Sequence, residues 1–282
     1  MMLFLRSALF NAVFFLWSAG LCFIFLPLLV LPERVMLRAG TLWSKSIIRI
    51  LGLTAGTRFE IRGAENIPTG AAIFASKHQS AWDTLIYMTL LPGPVLVMKR
   101  ELFRIPLYGW YARHAGMIGV DRRGGARALK HLIRRARSAL KGGQSVVIFP
   151  QGTRTAPGVR KPYQAGVAAL YRVLGQPIVP TAVNSGLYWG RRAFLKRPGT
   201  IVLEFLPAIP TGLDRDDFMA ELERRIETAT DRLVAEGREN REGIVKPGKM
   251  RTLQRRGNRF SMAKSNEGNI EEIFLWVTLG IK

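Results

Sequence analysis

Cysteine is almost absent: Cys22 is the only one in 282 residues. A disulfide within the chain and a cysteine-built metal cluster are both excluded. Histidine is nearly as scarce, and His78, His114 and His131 show no ligand spacing, which argues against a zinc site. So few thiols suit the reducing side of a membrane. Acid is the third shortage. Against 42 Lys and Arg stand 20 Asp and Glu, a formal net charge of +22. Such an excess implies an anionic partner, whether nucleic acid, an anionic membrane surface or a phosphorylated substrate. No RNA- or DNA-reading motif accompanies the charge, and nucleic acid is not expected as a partner. Internal repeats are also missing.

Apolar sequence is plentiful at the start. Residues 3–31 are almost purely apolar, broken by Arg6, Asn11 and Ser18. The run Ala8–Leu31 is about long enough to cross a bilayer as a helix. A cleaved signal peptide fits less well, because the run continues past the small pair Ala19-Gly20. Pro27 and Pro32 point to a bend, so a re-entrant segment is the other arrangement. Over 35–53, Leu37, Leu42, Trp43, Ile47, Ile48 and Leu51 alternate with Arg38, Lys45 and Arg49. This reads as an amphipathic helix in the headgroup region, basic side towards lipid phosphates. A core helix of the following domain is the competing reading. Basic residues after the apolar run place the body of the protein in the cytoplasm by the positive-inside tendency, with Arg6 pulling the other way.

From residue 57 the pattern becomes α/β. Strands are expected at 57–62, 71–76, 94–98, 145–149, 177–184 and 200–206, giving a mixed sheet flanked by helices. The clearest helix covers about 126–141, with Leu129, Leu132, Ile133, Ala136 and Leu140 as its stripe and Gly142-Gly143 as its stop. Its other face is basic, solvated or laid against an anionic membrane. A last helix runs from Asp217 to about Glu236. Past Gly237, residues 238–269 lack periodicity and are expected to be disordered. The apolar end, 270–281, is too short to span a bilayer. The implied division is 1–55 for membrane anchoring, 56–237 for one α/β domain and 238–282 for a basic tail.

The candidate chemistry concentrates in AAIFASKHQSAWDT, Ala71–Thr84. An apolar strand delivers His78 at its end, and Asp83 follows at a helix start. That spacing can pair an imidazole with a carboxylate: the imidazole takes a proton from a hydroxyl, and the carboxylate fixes its tautomer and stabilises the imidazolium. Ser80 and Asp83 also fit S-x-x-[DE], a helix cap in which Asp83 only satisfies a backbone N–H. The two readings are compatible, since a cap would hold Asp83 in place. Further on, the strand Val146–Phe149 ends at Pro150 and turns through Gly152-Thr153-Arg154. Gly152 permits close backbone approach, Thr153 offers a hydroxyl and Arg154 a two-pronged guanidinium, together a candidate anion site. An ordinary turn with a surface arginine is the plainer account.

Four blocks in order carry a resemblance. They are KHQSAWD (Lys77–Asp83), KRELFRIPLYGWYAR (Lys99–Arg113) continuing into GMIGVDRR (Gly116–Arg123), VVIFPQGTRT (Val146–Thr155) and PIVPTAV (Pro177–Val183). Over roughly residues 57–210 the chain resembles the glycerolipid acyltransferase family that includes 1-acylglycerol-3-phosphate acyltransferases, with its H-x-x-x-x-D signature. The resemblance implies a single acyltransferase domain moving an acyl group from acyl-CoA or an acyl carrier protein to the sn-2 hydroxyl of lysophosphatidic acid. Phosphatidic acid would form at the inner, cytoplasmic membrane, with the domain on the cytoplasmic side among membrane lipids.

His78 would then be the general base and Asp83 its orienting group, with no protein nucleophile, metal or bound cofactor. The acceptor's phosphate would lie on Gly152, Thr153 and Arg154, with Arg122 and Lys99 as further partners. Phe103, Pro106, Gly109 and Gln151 would shape the acceptor site. Trp110 and Tyr111 would touch lipid, and Val179-Pro180 would serve donor binding or simply a core strand. Two positions depart from the family pattern. Gln151 replaces the usual acid of F-P-E-G-T, keeping its size but not its charge. Lys77 replaces a common asparagine, a cation able to disfavour the His78 imidazolium or to assist phosphate binding. Rival functions are transfer to glycerol-3-phosphate or another lyso-lipid, an inactive relative keeping only the fold, and a non-enzymatic basic protein binding membranes or nucleic acid.

Overall fold

The computed structural model describes residues 1–245. Met1–Asn240 form one compact unit; Arg241–Lys282 form a second, described only as far as Val245. Most of the tail expected over 238–282, its apolar end included, lies outside the described residues.

Helix α1 (Met2–Ile24) is, among the described residues, the one helix long and apolar enough to cross a bilayer. Its 23 residues rise about 34 Å, against a hydrocarbon core of about 30 Å. The span expected over Ala8–Leu31 is therefore shifted and cut short. Pro27 sits in a 3-10 stretch, Leu26–Val30, and Pro32 caps helix α2 (Glu33–Ala55). Proline has no N–H to give and is tolerated at helix starts, which is where both lie. The bend is a helical hairpin: Trp17 Nε1 donates to Ser46 Oγ at 2.8 Å, and Trp43 Nε1 to Ser18 Oγ at 3.0 Å. Met36, Leu37, Ile47, Ile48 and Leu51 of α2 are buried in the domain core. The core-helix reading thus describes the apolar face of α2, while Arg38 and Arg49 remain exposed.

Ser7 and Asn11, which interrupt the apolar run of α1, are docking contacts. Ser7 Oγ accepts from the Lys196 N–H at 2.9 Å, and Asn11 Nδ2 donates to the Phe194 carbonyl at 3.1 Å. The Lys196 ammonium donates to Asn11 Oδ1 at 3.0 Å and lies 5.4 Å from the centroid of the Phe10 ring. Phe10 is fully buried, edge-on to Trp189 at 5.1 Å.

Seven strands form one sheet: β1 (Thr57–Arg62), β2 (Ile73–Ser76), β3 (Val95–Lys99), β4 (Ile118–Val120), β5 (Val146–Ile148), β6 (Ile178–Val183) and β7 (Gly199–Phe205). Their order is β1-β7-β6-β2-β5-β3-β4, parallel throughout except between β6 and β7. The sheet is mixed, as expected. Only β4 was not foreseen, being three residues with a central glycine, too short to alternate visibly.

Side chains alternate across the sheet with the period of two that a strand imposes. Ile73, Ala75, Val146 and Ile148 face one core, under α5 (Gly125–Lys141), α6 (Ala165–Leu174) and the first half of α7 (Arg215–Val245). Phe74 and Val147 face the other, with α1, α2, α3 (Trp82–Leu90) and α4 (Tyr108–His114).

Helix α7 continues to Val245, past the end expected near Glu236. Gly237, past which the sequence loses its periodicity, is a close approach inside the helix. A Cβ there would lie 2.7 Å from Leu187 Cδ1 and 3.2 Å from Asn184 Nδ2. Beyond it, Arg238, Glu239 and Arg241 favour helix.

Gly109 is constrained in the same way, more tightly. A Cβ would sit 2.2 Å from the Phe103 carbonyl oxygen, a backbone atom that cannot swing aside. The turn between them is tense already, with Leu107 at φ 60° and Tyr108 N–H closing on Pro106 O at 2.7 Å. Gly109→Ala is expected to destabilise the fold by the upper end of the ~1–3 kcal/mol of overpacking. Thermal unfolding in detergent would show a lowered Tm; an unchanged Tm would mean the turn yields freely.

Candidate active site

The strands β6, β2 and β5 are neighbours and parallel where they pair, so their carboxyl ends open at one edge. The loops leaving that edge carry His78–Asp83, Phe149–Thr155 and Asn184-Ser185. Crevices outside such strand ends are where ligands bind in open α/β sheets.

His78 Nδ1 lies 2.9 Å from Asp83 Oδ2. The same oxygen accepts the Gln79 N–H at 2.7 Å and the Ser80 N–H at 2.8 Å, while Oδ1 accepts the Ser185 hydroxyl at 2.5 Å. Four donors thus meet a group with about four acceptor sites. Asp83 is fully buried and His78 13 % exposed, so the acid is enclosed and the base stands at the rim. The hydrogen bond assigns the tautomer: Nδ1 carries the proton towards Asp83, and Nε2 keeps its lone pair. Phe149 fixes the ring plane, stacked at 4.0 Å between centroids. The capping contact expected of Asp83 is present, because its Oδ2 accepts the Ser80 N–H just ahead of α3, whose N-cap is Ala81. Cap and imidazole–carboxylate pair share that one oxygen.

Of the five candidate phosphate residues, Thr153 is half-buried within the turn, and the other four separate into two settings. Gly152 has φ 64°, and its bare Cα faces the Arg122 guanidinium, which a Cβ would meet at 3.4 Å. Arg122 is exposed; partial desolvation lowers its pKa, opposed by Glu101. Lys99 ends β3 beside Val120, exposed, two residues from Arg122 in the paired strand. Arg154 turns elsewhere. Burial lowers its pKa, Asp83 opposes that, and the neighbouring Arg191 and Arg192 reinforce it. It lines an open cavity of about 430 Å³ with Gln79, Thr155, Lys161 and Arg191. Lys161 and Arg191 were not foreseen; each sits in polar loop sequence with no motif around it.

The acceptor-shaping set is divided too. Phe103 and Gly109 pack on each other, and the Phe103 ring lies against Gly119 of β4. They brace the strand leading to Arg122, with Pro106 exposed in the turn between. Gln151 does not face an acceptor site. It is buried, among Lys77, Thr155 and Glu227 of α7. Lys77 is equally withdrawn: its ammonium is 2.7 and 2.8 Å from the two Glu227 oxygens, and neither side chain is exposed by more than 3 %. That ion pair removes Lys77 from phosphate binding.

Residues 58–184 match a family model described as Acyltransferase. A 1-acyl-sn-glycerol-3-phosphate acyltransferase of Pseudomonas aeruginosa is 35 % identical over 237 residues, 82 % of this chain and 91 % of that protein. The chain belongs to the acyltransferase family. The human 1-acyl-sn-glycerol-3-phosphate acyltransferase alpha is 30 % identical across 80 % of this chain and 83 % of its own length. In fold, this acyltransferase is similar to the crystal structure of the 1-acyl-sn-glycerophosphate acyltransferase PlsC from Thermotoga maritima. The TM-score is 0.63 at 21 % identity, covering 82 % of this chain and 94 % of that one. The matched residues include the His78–Asp83 pair and the Gly152–Arg154 turn. They leave out Glu227, which reaches the site of this acyltransferase from α7.

Proposed function

We propose that the protein transfers an acyl group from an acyl thioester to the sn-2 hydroxyl of 1-acylglycerol-3-phosphate, making phosphatidic acid at the cytoplasmic face of the inner membrane. The observation that carries this is the His78–Asp83 pair, its Nε2 free at the rim of a sheet edge where basic side chains gather. Nε2 takes the proton of the acceptor hydroxyl, and the oxygen attacks the thioester carbonyl. The C–S bond breaks, and the imidazolium returns its proton to the leaving thiolate. Asp83 holds the imidazolium throughout by charge and hydrogen bond. Because the substrate supplies the nucleophile, the proposal includes no serine or cysteine nucleophile, metal or bound cofactor. The donor is acyl-CoA or an acyl carrier protein.

Membrane attachment is part of the proposal. Phe4, Leu9, Phe15, Leu16 and Phe23 of α1 are exposed large apolar side chains, a surface that lipid would cover. Acceptor and product would remain in the bilayer while the donor arrives from water.

The test is acyl transfer by the purified, detergent-solubilised protein with labelled acyl-CoA or acyl carrier protein. The acceptors would be 1-acylglycerol-3-phosphate, glycerol-3-phosphate and a lyso-lipid without the phosphomonoester. Product from the first alone supports the proposal, and silence from every pairing overturns it. Arg154→Ala is expected to raise the KM for the phosphate-bearing acceptor about 10- to 100-fold, the worth of one charge-assisted hydrogen bond. An unchanged KM would remove Arg154 from the phosphate.

A further inference from the structure

Lys77, Gln151, Tyr163 and Glu227 form a buried cluster that the reaction does not use directly. The Glu227 carboxylate accepts from Lys77 Nζ through both oxygens and from the Tyr163 hydroxyl at 2.9 Å. Hydrogen bonding assigns the Gln151 amide. With Oε1 inward it accepts from Lys77 Nζ at 3.1 Å and the Lys161 N–H at 3.3 Å, and Nε2 donates to Thr155 Oγ1 at 3.1 Å. The reverse orientation would reach Glu227 Oε1 at 3.3 Å but would set the NH2 group against those two donors. Thr155 then donates from both its N–H, at 2.8 Å, and its hydroxyl, at 3.3 Å, to the carbonyl of His78. A continuous chain of bonds runs from Glu227 through Lys77, Gln151 and Thr155 to the backbone of His78. Lys77 is also its covalent neighbour, so α7 holds the base by two routes.

We propose that Glu227 is a positioning residue for His78, supplying the single carboxylate of this cluster, and that Gln151 is its neutral partner rather than a lost acid. One buried ammonium balances one carboxylate. A glutamate at 151 would place a second carboxylate about 3.3 Å from the first. It would also have no N–H for Thr155, so the hydroxyl would turn to it and leave the His78 carbonyl. The other charged groups facing the cluster are Arg160, paired with Asp231 at 2.6 Å, and Glu223 of α7. Asp83 and Arg154 face the His78 side.

Four full-length proteins in one detergent test this: wild type, Glu227→Gln, Gln151→Glu and the double variant. The kinetic arm rests on the acyl transfer proposed above. Glu227→Gln is expected to lower kcat about 10- to 100-fold with both KM values little changed, as misplacement of a reacting group does. Gln151→Glu should lose activity and stability increasingly as pH rises, because the paired carboxyls then ionise together. The double variant restores one carboxylate to one ammonium and should recover about tenfold over either single change.

An arm independent of turnover follows the His78 ring resonances by NMR. Without Glu227 the chain of bonds that ends on the His78 carbonyl is broken, so the ring should shift against Phe149, on which it stacks, and its resonances should move and return in the double variant. Singles that lose Tm but keep kcat per folded molecule and the wild-type His78 resonances would reduce the cluster to a structural clamp and overturn the proposal. So would a double variant no better than Gln151→Glu, a comparison that stands even where Glu227→Gln does not fold. If the wild type makes no phosphatidic acid, the function proposed above fails, and the resonances alone decide for or against Glu227.

Discussion

His78→Ala is expected to slow phosphatidic acid formation by at least about 10²- to 10⁴-fold, the range a positioned general base contributes. The fold should survive the change. His78 stands at the rim, and its loss removes one of four donors to Asp83 and one ring from Phe149. The Gln79 and Ser80 N–H groups and the Ser185 hydroxyl continue to satisfy the acid. Attachment to vesicles should persist, because α1 and the apolar face it presents lie on other residues. Initial rates with either thioester donor, normalised to folded protein, provide the measurement. Turnover within a few-fold of wild type would end the role of His78 as base.

Asp83→Asn separates the two readings that its sequence context allowed. An asparagine can keep its amide oxygen in the position that accepts from His78, Gln79 and Ser80, and turn its NH2 group to Ser185 Oγ. The cap is then retained almost whole, and only the charge is lost. A cap role predicts activity near wild type. The catalytic role predicts a fall in kcat of about 10²-fold or more, since the imidazolium formed in the transition state has lost its counter-charge. The KM for either substrate should move little. Circular dichroism and Tm close to wild type would attribute the loss to chemistry; a broad loss of structure would attribute it to the cap.

Local features of this chain were readable and distant ones were not. The strands of the inner sheet are short apolar runs bounded by turn residues, a signal contained within a few positions. His78 and Asp83 are five residues apart, so strand end and helix start fix their geometry between them. Ser185 meets Asp83 across 102 residues, and Glu227 meets Lys77 across 150. Neither contact leaves any periodic mark in the sequence around it. Lys77 looked like a cation awaiting phosphate because its carboxylate lies on another element. Gln151 looked like a missing acid for the same reason. The loss of periodicity past Gly237 put the end of α7 too early: the helix runs on, and tertiary packing uses that glycine's lack of a side chain.

The docking of α1 sets an order of events in synthesis. Ser7 and its partner Lys196 are 189 residues apart, about 10 to 40 s of translation at ~5–20 residues per second. For that interval Ser7, Phe10 and Asn11 have left the ribosome before the segment that receives them exists. Until then α1 keeps its polar notch unfilled, and the finished domain claims it only afterwards. A protein begun after α1 would assemble with the Phe10 socket beside Trp189 open and Lys196 without Asn11. Helix α1 is a wall of the domain, made first and seated last.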